Sequence, residues 1–113
     1  MITLSKADKK VARILIDKGV MIEKTALFLQ LEQTLADWRN GTVDVPHTYA
    51  NIYDQVKTKD KAIARRYDGL GGSMYFYTVM ELLIEDIIDD ADIAAFSETV
   101  RTELRTIKAR YVK

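Results

Sequence analysis

Apolar residues recur every three or four positions along most of this chain, which is the spacing of one face of an α-helix. The first such run is Ala7, Val11, Ile14 and Leu15. Ser5 precedes this run and belongs to the residue types that cap helix N-termini, so it predicts the start of a helix. Gly19 predicts the end of that helix, because glycine readily adopts the left-handed conformation of a C-cap. The alternative is a single helix that continues through Gly19.

Two further helical runs follow. The second extends from about Met21 to Asn40, and its stripe is Lys24, Leu27, Phe28, Leu31, Leu35 and Trp38. Asn40-Gly41 predicts its end, and Asp44 with Pro46 predicts the start of the next helix. The third stripe is Tyr49, Ile52, Tyr53, Val56, Ile63 and Tyr67. It stays in phase across Thr58, so we expect one helix to about Tyr67, with a break at Thr58 as the alternative.

The last third of the chain predicts a glycine-rich loop and two more helices. Residues 68–73 form the loop, and Ser73 is expected to cap a helix from Met74 to about Asp89. Because that helix is apolar around most of its circumference, we expect it to lie at the centre of the fold. The final helix carries a seam with coiled-coil-like spacing: Ile93, Phe96, Val100, Leu104, Ile107 and Tyr111.

These patterns predict an all-α fold, an antiparallel bundle of four to five amphipathic helices, with residues 1–113 forming a single helical domain. One proline and five glycines leave few helix breakers. No stretch shows the strict alternation that is typical of a half-buried strand. A chain of 113 residues is long enough for one hydrophobic core and too short for two.

Composition narrows the classes of function. The formal net charge is zero, so no overall field attracts nucleic acid or an anionic membrane. The absence of cysteine excludes disulfides, thiol catalysis and thiolate metal sites. Neither a signal peptide nor a membrane-spanning segment is recognisable, and we therefore expect a cytoplasmic protein.

Candidate chemistry is sparse, and we predict no catalytic residue, no cofactor site and no metal site. Glu81, Glu85 and Asp89 belong to an acidic run that could hold a divalent cation, but a solvated helix face explains it better. The glycine loop lacks the spacing of a phosphate-binding motif. His47 is the sole histidine, sits beside Pro46, and is interpreted as a surface or capping residue.

Charged stripes give a hypothesis about helix pairing. Lys57 and Lys61 lie beside the apolar face of the third helix, and Glu81 and Glu85 beside that of the fourth. If the glycine loop closes an antiparallel hairpin, Lys61 lies level with Glu81 and Lys57 with Glu85. The alternative is that these charged residues do not pair and simply line two separate solvent-exposed helix faces.

The preferred function is a non-enzymatic protein-interaction or adaptor module. The apolar surface exceeds what one small bundle easily hides, so we expect a homodimer or another protein as partner. The predicted contact residues are the seam of the last helix, from Ile93 to Tyr111. One alternative is a small nucleic-acid-associated factor that uses Arg101, Arg105, Lys108 and Arg110; the other is a carboxylate-based metal enzyme.

Overall fold

A computed structural model describes residues 2–111 and confirms the all-α fold class. Within that range the α-helices are α1 (Lys6–Arg39), α2 (Val45–Tyr67), α3 (Tyr75–Ile84) and α4 (Glu98–Tyr111). Short 3₁₀ turns at Gly72–Met74 and Asp92–Ala95 precede α3 and α4. Over those same residues no strand is present, and no helix is long and apolar enough to cross a membrane.

Helix boundaries set by local chemistry agree with prediction. The Asp8 amide donates to the Ser5 hydroxyl at the start of α1. At its end Gly41 adopts a left-handed conformation with φ of 77°, which glycine reaches without steric strain. The Asp44 side chain accepts from the His47 amide at 2.9 Å and caps α2, with Pro46 in the first turn.

The structure decides whether helices break at Gly19 and at Thr58: both helices are continuous there. α1 runs through Gly19, so the predicted break there is wrong. Glycine costs a helix interior about 1 kcal/mol relative to alanine, and the packing around the buried Gly19 outweighs that cost. α2 continues through Thr58 to Tyr67, as its unbroken apolar phase predicts.

The predicted helix from Met74 to Asp89 is shorter than expected, because α3 ends at Ile84. Asp86 adopts a left-handed conformation with φ of 59°, and the Ile87 amide donates back to the Leu82 carbonyl. Together with the bond from the Asp86 amide to the Leu83 carbonyl, this is a Schellman C-cap that uses aspartate in place of glycine. Ser73 does not cap α3; it lies inside the preceding 3₁₀ turn.

The last helix begins at Glu98, later than predicted, because Ile93 and Phe96 belong to a 3₁₀ turn and the bend after it. Its start is fixed from a distant part of the chain. The carboxylate of Asp8 accepts from the Ser97 amide at 2.8 Å and from the Ser97 hydroxyl at 2.7 Å. Asp8 is buried, and it presents a negative charge to the positive end of α4.

Contacts group the described chain into two compact units. The core unit comprises the chain up to Val20 together with the chain from Gly69 onward, and the hairpin unit comprises Met21–Asp68. All the buried apolar side chains lie in the core unit: Leu4, Ala12, Leu15, Ile16, Phe76, Val79, Leu82, Leu83, Ile88, Ile93, Phe96, Val100 and Leu104. The single helical domain stays a prediction.

Candidate functional site

The hairpin unit consists of the C-terminal half of α1, the turn at residues 40–44, and α2. Thr34 and Gln55 exchange hydrogen bonds across the two helices, at 2.9 and 3.2 Å. Glu23 and Arg66 form an ion pair at 3.2 Å, with both side chains largely covered. The two pairs are separated by the same number of residues on each helix, as an antiparallel hairpin requires.

Within the hairpin unit α2 is paired with the preceding helix, whereas the charged stripes predict a pairing with the following helix, which belongs to the core unit; that pairing stays a prediction. In the hairpin unit α2 packs against the C-terminal half of α1, with which it is connected by a five-residue turn. The proposed pairs of Lys61 with Glu81 and Lys57 with Glu85 assumed that α2 pairs with the next helix in sequence. Within the hairpin unit Lys57 places its ammonium group 5.9 Å from the ring centre of Tyr53.

The hairpin unit leaves large apolar side chains in contact with solvent. Two helices can each bury only the stripe that faces the other, so any further apolar residues stay exposed. Phe28 is 58 % exposed and Tyr53 62 % exposed. Six of these exposed residues form what we call the apolar face: Phe28, Leu35, Trp38, Tyr49, Tyr53 and Val56.

Helix geometry places these residues on one side of the hairpin. Viewed along the axis of α1, the side chains of Phe28 and Leu35 are rotated by about a quarter turn from the side that contacts α2. The rotation is in the direction in which the helix winds from its N-terminus to its C-terminus. On α2, Tyr49 and Val56 lie about a quarter turn beyond the residues that contact α1, in the same sense. Because the helices are antiparallel, equal offsets in the same sense point to the same side. The apolar residues of both helices therefore lie on one side of the hairpin.

Polar contacts fix the hairpin at both ends. At the turn, Asp44 caps α2, and the hydrogen bonds from the His47 amide and ring lower the pKa of the Asp44 carboxyl. At the other end Tyr67 lies beside the Glu23–Arg66 pair, and burial, followed by the Glu23 carboxylate, raises the pKa of Tyr67. His47 is exposed and serves this cap, which is its predicted role.

Most of the predicted contact seam of the last helix is covered by the chain itself. The side chains of Ile93, Phe96, Val100 and Leu104 are buried in the core unit, none more than 3 % exposed. Ile107 is half-buried and Tyr111 is 62 % exposed. The seam packs as its spacing requires, but against α3 and neighbouring turns of the same chain, so its role as a partner interface stays a prediction.

The basic residues proposed for nucleic-acid contacts mostly have partners within the core unit. Arg105 forms a two-pronged pair with Asp90, and Arg101 donates to the carbonyls of Ala94 and Phe96. Lys108 donates to the Asp86 carboxylate and the Leu83 carbonyl. Arg110 is exposed. Arg101, Arg105 and Lys108 therefore link α4 to the segments between α3 and α4 by hydrogen bonds.

The residues of the acidic run have different roles in the structure. Asp89 and Asp92 cap each other's backbone amides, and Asp92 also pairs with Lys18. Glu81 and Glu85 are exposed. Among residues 2–111 the structure contains no group of three or more side chains placed to hold a metal ion.

A cationic stripe at the start of α1 was missed in the sequence. Lys6, Lys9, Lys10 and Arg13 are spaced as one helix face and line a shallow depression of the core unit. Arg13 donates to the Tyr75 hydroxyl and lies over its ring. The spacing of three, one and three residues is the signal in the sequence that marks this stripe.

Comparison of the chain with models of protein families, with curated proteins and with solved structures finds no match.

Proposed function

We propose that this chain is a non-enzymatic interaction module that self-associates through the apolar face of its hairpin unit. The single observation that carries the proposal is the exposure of that face, where four aromatic side chains and two aliphatic ones meet solvent. Monomeric proteins rarely expose a contiguous apolar patch of more than a few hundred Å², and larger patches mark interaction surfaces.

The composition of the apolar face supports this role. Tryptophan and tyrosine are enriched at the centres of protein interfaces, because they combine large contact area with few rotatable bonds. The stripe on α1 has the spacing of a coiled-coil seam and consists of Phe28, Leu31, Leu35 and Trp38, of which Leu31 is half-buried. Such a seam fits another helix as its partner.

A charge placed on the apolar face should separate the copies. We expect the wild-type chain to have the native mass of a dimer, and Phe28→Glu to raise the dissociation constant by at least about tenfold, as loss of an aromatic anchor does. Sedimentation measures the mass. Trp38 is the only tryptophan in the chain, so its emission should shift to the red on dilution of the wild type.

Ile14→Glu is the matched control, because Ile14 is also exposed on α1 but belongs to the core unit. It should leave the dissociation constant unchanged. Both variants should retain the helical circular dichroism of the wild type. A wild-type chain that remains monomeric at about 100 µM would refute the proposal, because this concentration is far above the dissociation constant expected of a specific dimer.

Nucleic-acid binding is a second candidate, favoured by the cationic stripe of α1, for which the structure gives no acidic partner among residues 2–111. Contacts to phosphates weaken steeply as salt rises. We expect the double variant Lys9→Glu, Lys10→Glu to abolish any binding of a labelled duplex at low salt, measured by anisotropy. Lys59→Glu with Lys61→Glu, on α2, is the charge-matched control. Equal binding by both variants would exclude the stripe as the contact.

A further inference from the structure

We infer that two copies of the chain pack hairpin on hairpin into a four-helix bundle, in which α1 of each copy lies against α2 of the other. This inference rests on the proposed function and specifies its geometry. The apolar face is the only side of the hairpin unit on which both helices contribute large exposed aromatic residues. Stacking two such faces completes the all-round burial that two helices alone cannot reach.

Symmetry allows two ways of stacking identical faces. A twofold axis parallel to the helices places α1 over α2 of the partner, and an axis across the helices places α1 over α1 of the partner. Both arrangements make all neighbouring helices antiparallel. The charges at the outer edges of the face distinguish between them.

Glu32 lies at the outer edge of the apolar face on α1, and Lys57 lies at its outer edge on α2. The register fixed by Thr34 with Gln55 places Glu32 and Lys57 at the same level along the hairpin. A twofold axis parallel to the helices preserves that level. It therefore brings Glu32 of each copy opposite Lys57 of the other, in two equivalent pairs of opposite charge.

Neither charge has an ion-pair partner in the part of the chain that the structure describes, and both side chains are exposed. Lys57 already lies over the Tyr53 ring, which holds its stem along the apolar face. Stacking α1 on its own copy would leave Lys57 at the α2 edge without this acidic counterpart. The observed charges therefore favour the arrangement in which α1 of each copy lies over α2 of the other, which we call the crossed arrangement.

The area of the face is adequate for a stable pair. Aromatic side chains offer about 150–250 Å² each. Six large side chains that are each roughly half exposed would thus bury on the order of 1,200 Å² in total when two copies meet, which reaches the lower end of specific interfaces. The neighbouring exposed residues Met21 and Val45 would extend this area.

Disulfide trapping tests the arrangement cleanly, because the natural chain contains no cysteine. Two single variants, Glu32→Cys and Lys57→Cys, are oxidised separately and as an equal mixture of the full-length proteins. The crossed arrangement predicts a covalent dimer in the mixture only, since each new thiol faces its counterpart only in a mixed dimer. Thr25→Cys mixed with Lys57→Cys is the control, and it should not cross-link, because these positions lie at different levels of the hairpin.

Charge reversal gives an independent readout. Glu32→Lys and Lys57→Glu should each raise the dimer dissociation constant about three- to tenfold, and the combined variant should return it to within about twofold of wild type. Cross-linking of either single variant alone, or a dimer that no mixture cross-links, would overturn the arrangement while leaving self-association intact. A monomeric wild type would overturn the proposed function itself, so the two failures are distinguishable.

Discussion

Replacing Leu104 by alanine should lower the free energy of unfolding by about 3 kcal/mol, within the 2–5 kcal/mol range of fully buried leucines. Leu104 is completely buried, on the helix that the sequence predicts as the contact surface. The physical reason is the loss of transfer free energy from its side chain together with the cavity left between α3 and α4. Urea denaturation, monitored by helical circular dichroism, measures the change.

The same variant distinguishes a core role from an interface role for the last helix. If Leu104 belongs to the core of a single chain, the loss of stability should be the same at low and high protein concentration. Ile14→Ala is the control: its side chain is 67 % exposed in the same unit, so we expect a change within about 0.5 kcal/mol. A Leu104→Ala variant of normal stability that no longer self-associates would return the interface to the last helix.

Helix positions could be predicted from the sequence wherever a few neighbouring residues decide them. Ser5 and Asp44 begin helices through hydrogen bonds to amides three residues away. Gly41 ends α1 through a backbone conformation that suits glycine. Such signals are local, so they act in the same way in any fold.

Boundaries decided by packing could not be predicted in this way. Gly19 is a residue type that is typical of helix ends, yet its burial within α1 outweighs the low helix propensity of glycine. Asp86 ends α3 in a conformation that aspartate adopts far less often than glycine. In both places the residue type favours one local structure and the surrounding contacts enforce another.

In the candidate site, too, local features could be predicted from the sequence and features that depend on packing could not. The stripe on α1 from Leu27 to Trp38 and the stripe on α2 were predicted from spacing alone. Which stripes cover each other depends on the pairing of helices, and sequence spacing carries no information on that. The sequence predicts surplus apolar surface on the last helix, whose seam is largely buried, whereas four of the large exposed aromatic side chains, Phe28, Trp38, Tyr49 and Tyr53, lie on the hairpin.

Replacing Asp8 by alanine should lower the free energy of unfolding by about 2–3 kcal/mol, because it leaves the Ser97 amide at the start of α4 without its charged acceptor. The contact joins residues 89 positions apart, so its loss affects α1 and α4 together. Asp17→Ala is the matched control, since Asp17 is an exposed carboxylate on the same helix. We expect it to change stability by no more than about 0.5 kcal/mol.

The contribution of Asp8 should also depend on pH in a defined direction. Burial alone would raise the pKa of its carboxyl, but the hydrogen bonds from the Ser97 amide and hydroxyl outweigh it and hold the pKa below the usual value. A carboxyl whose pKa is lower in the folded chain stabilises that chain fully above its unfolded pKa, at about 3.9 for aspartate, and loses this contribution as pH falls through the folded pKa.

The difference in stability between wild type and Asp8→Ala should therefore be constant from pH 7 to about pH 5 and shrink below about pH 4. Denaturation curves at several pH values measure it directly. A difference that grew on acidification would mean that the neutral carboxyl makes the better contact, which the two donor groups of Ser97 argue against. Since both donors point at the carboxylate oxygens, ionised Asp8 is the form that holds the start of α4 in place.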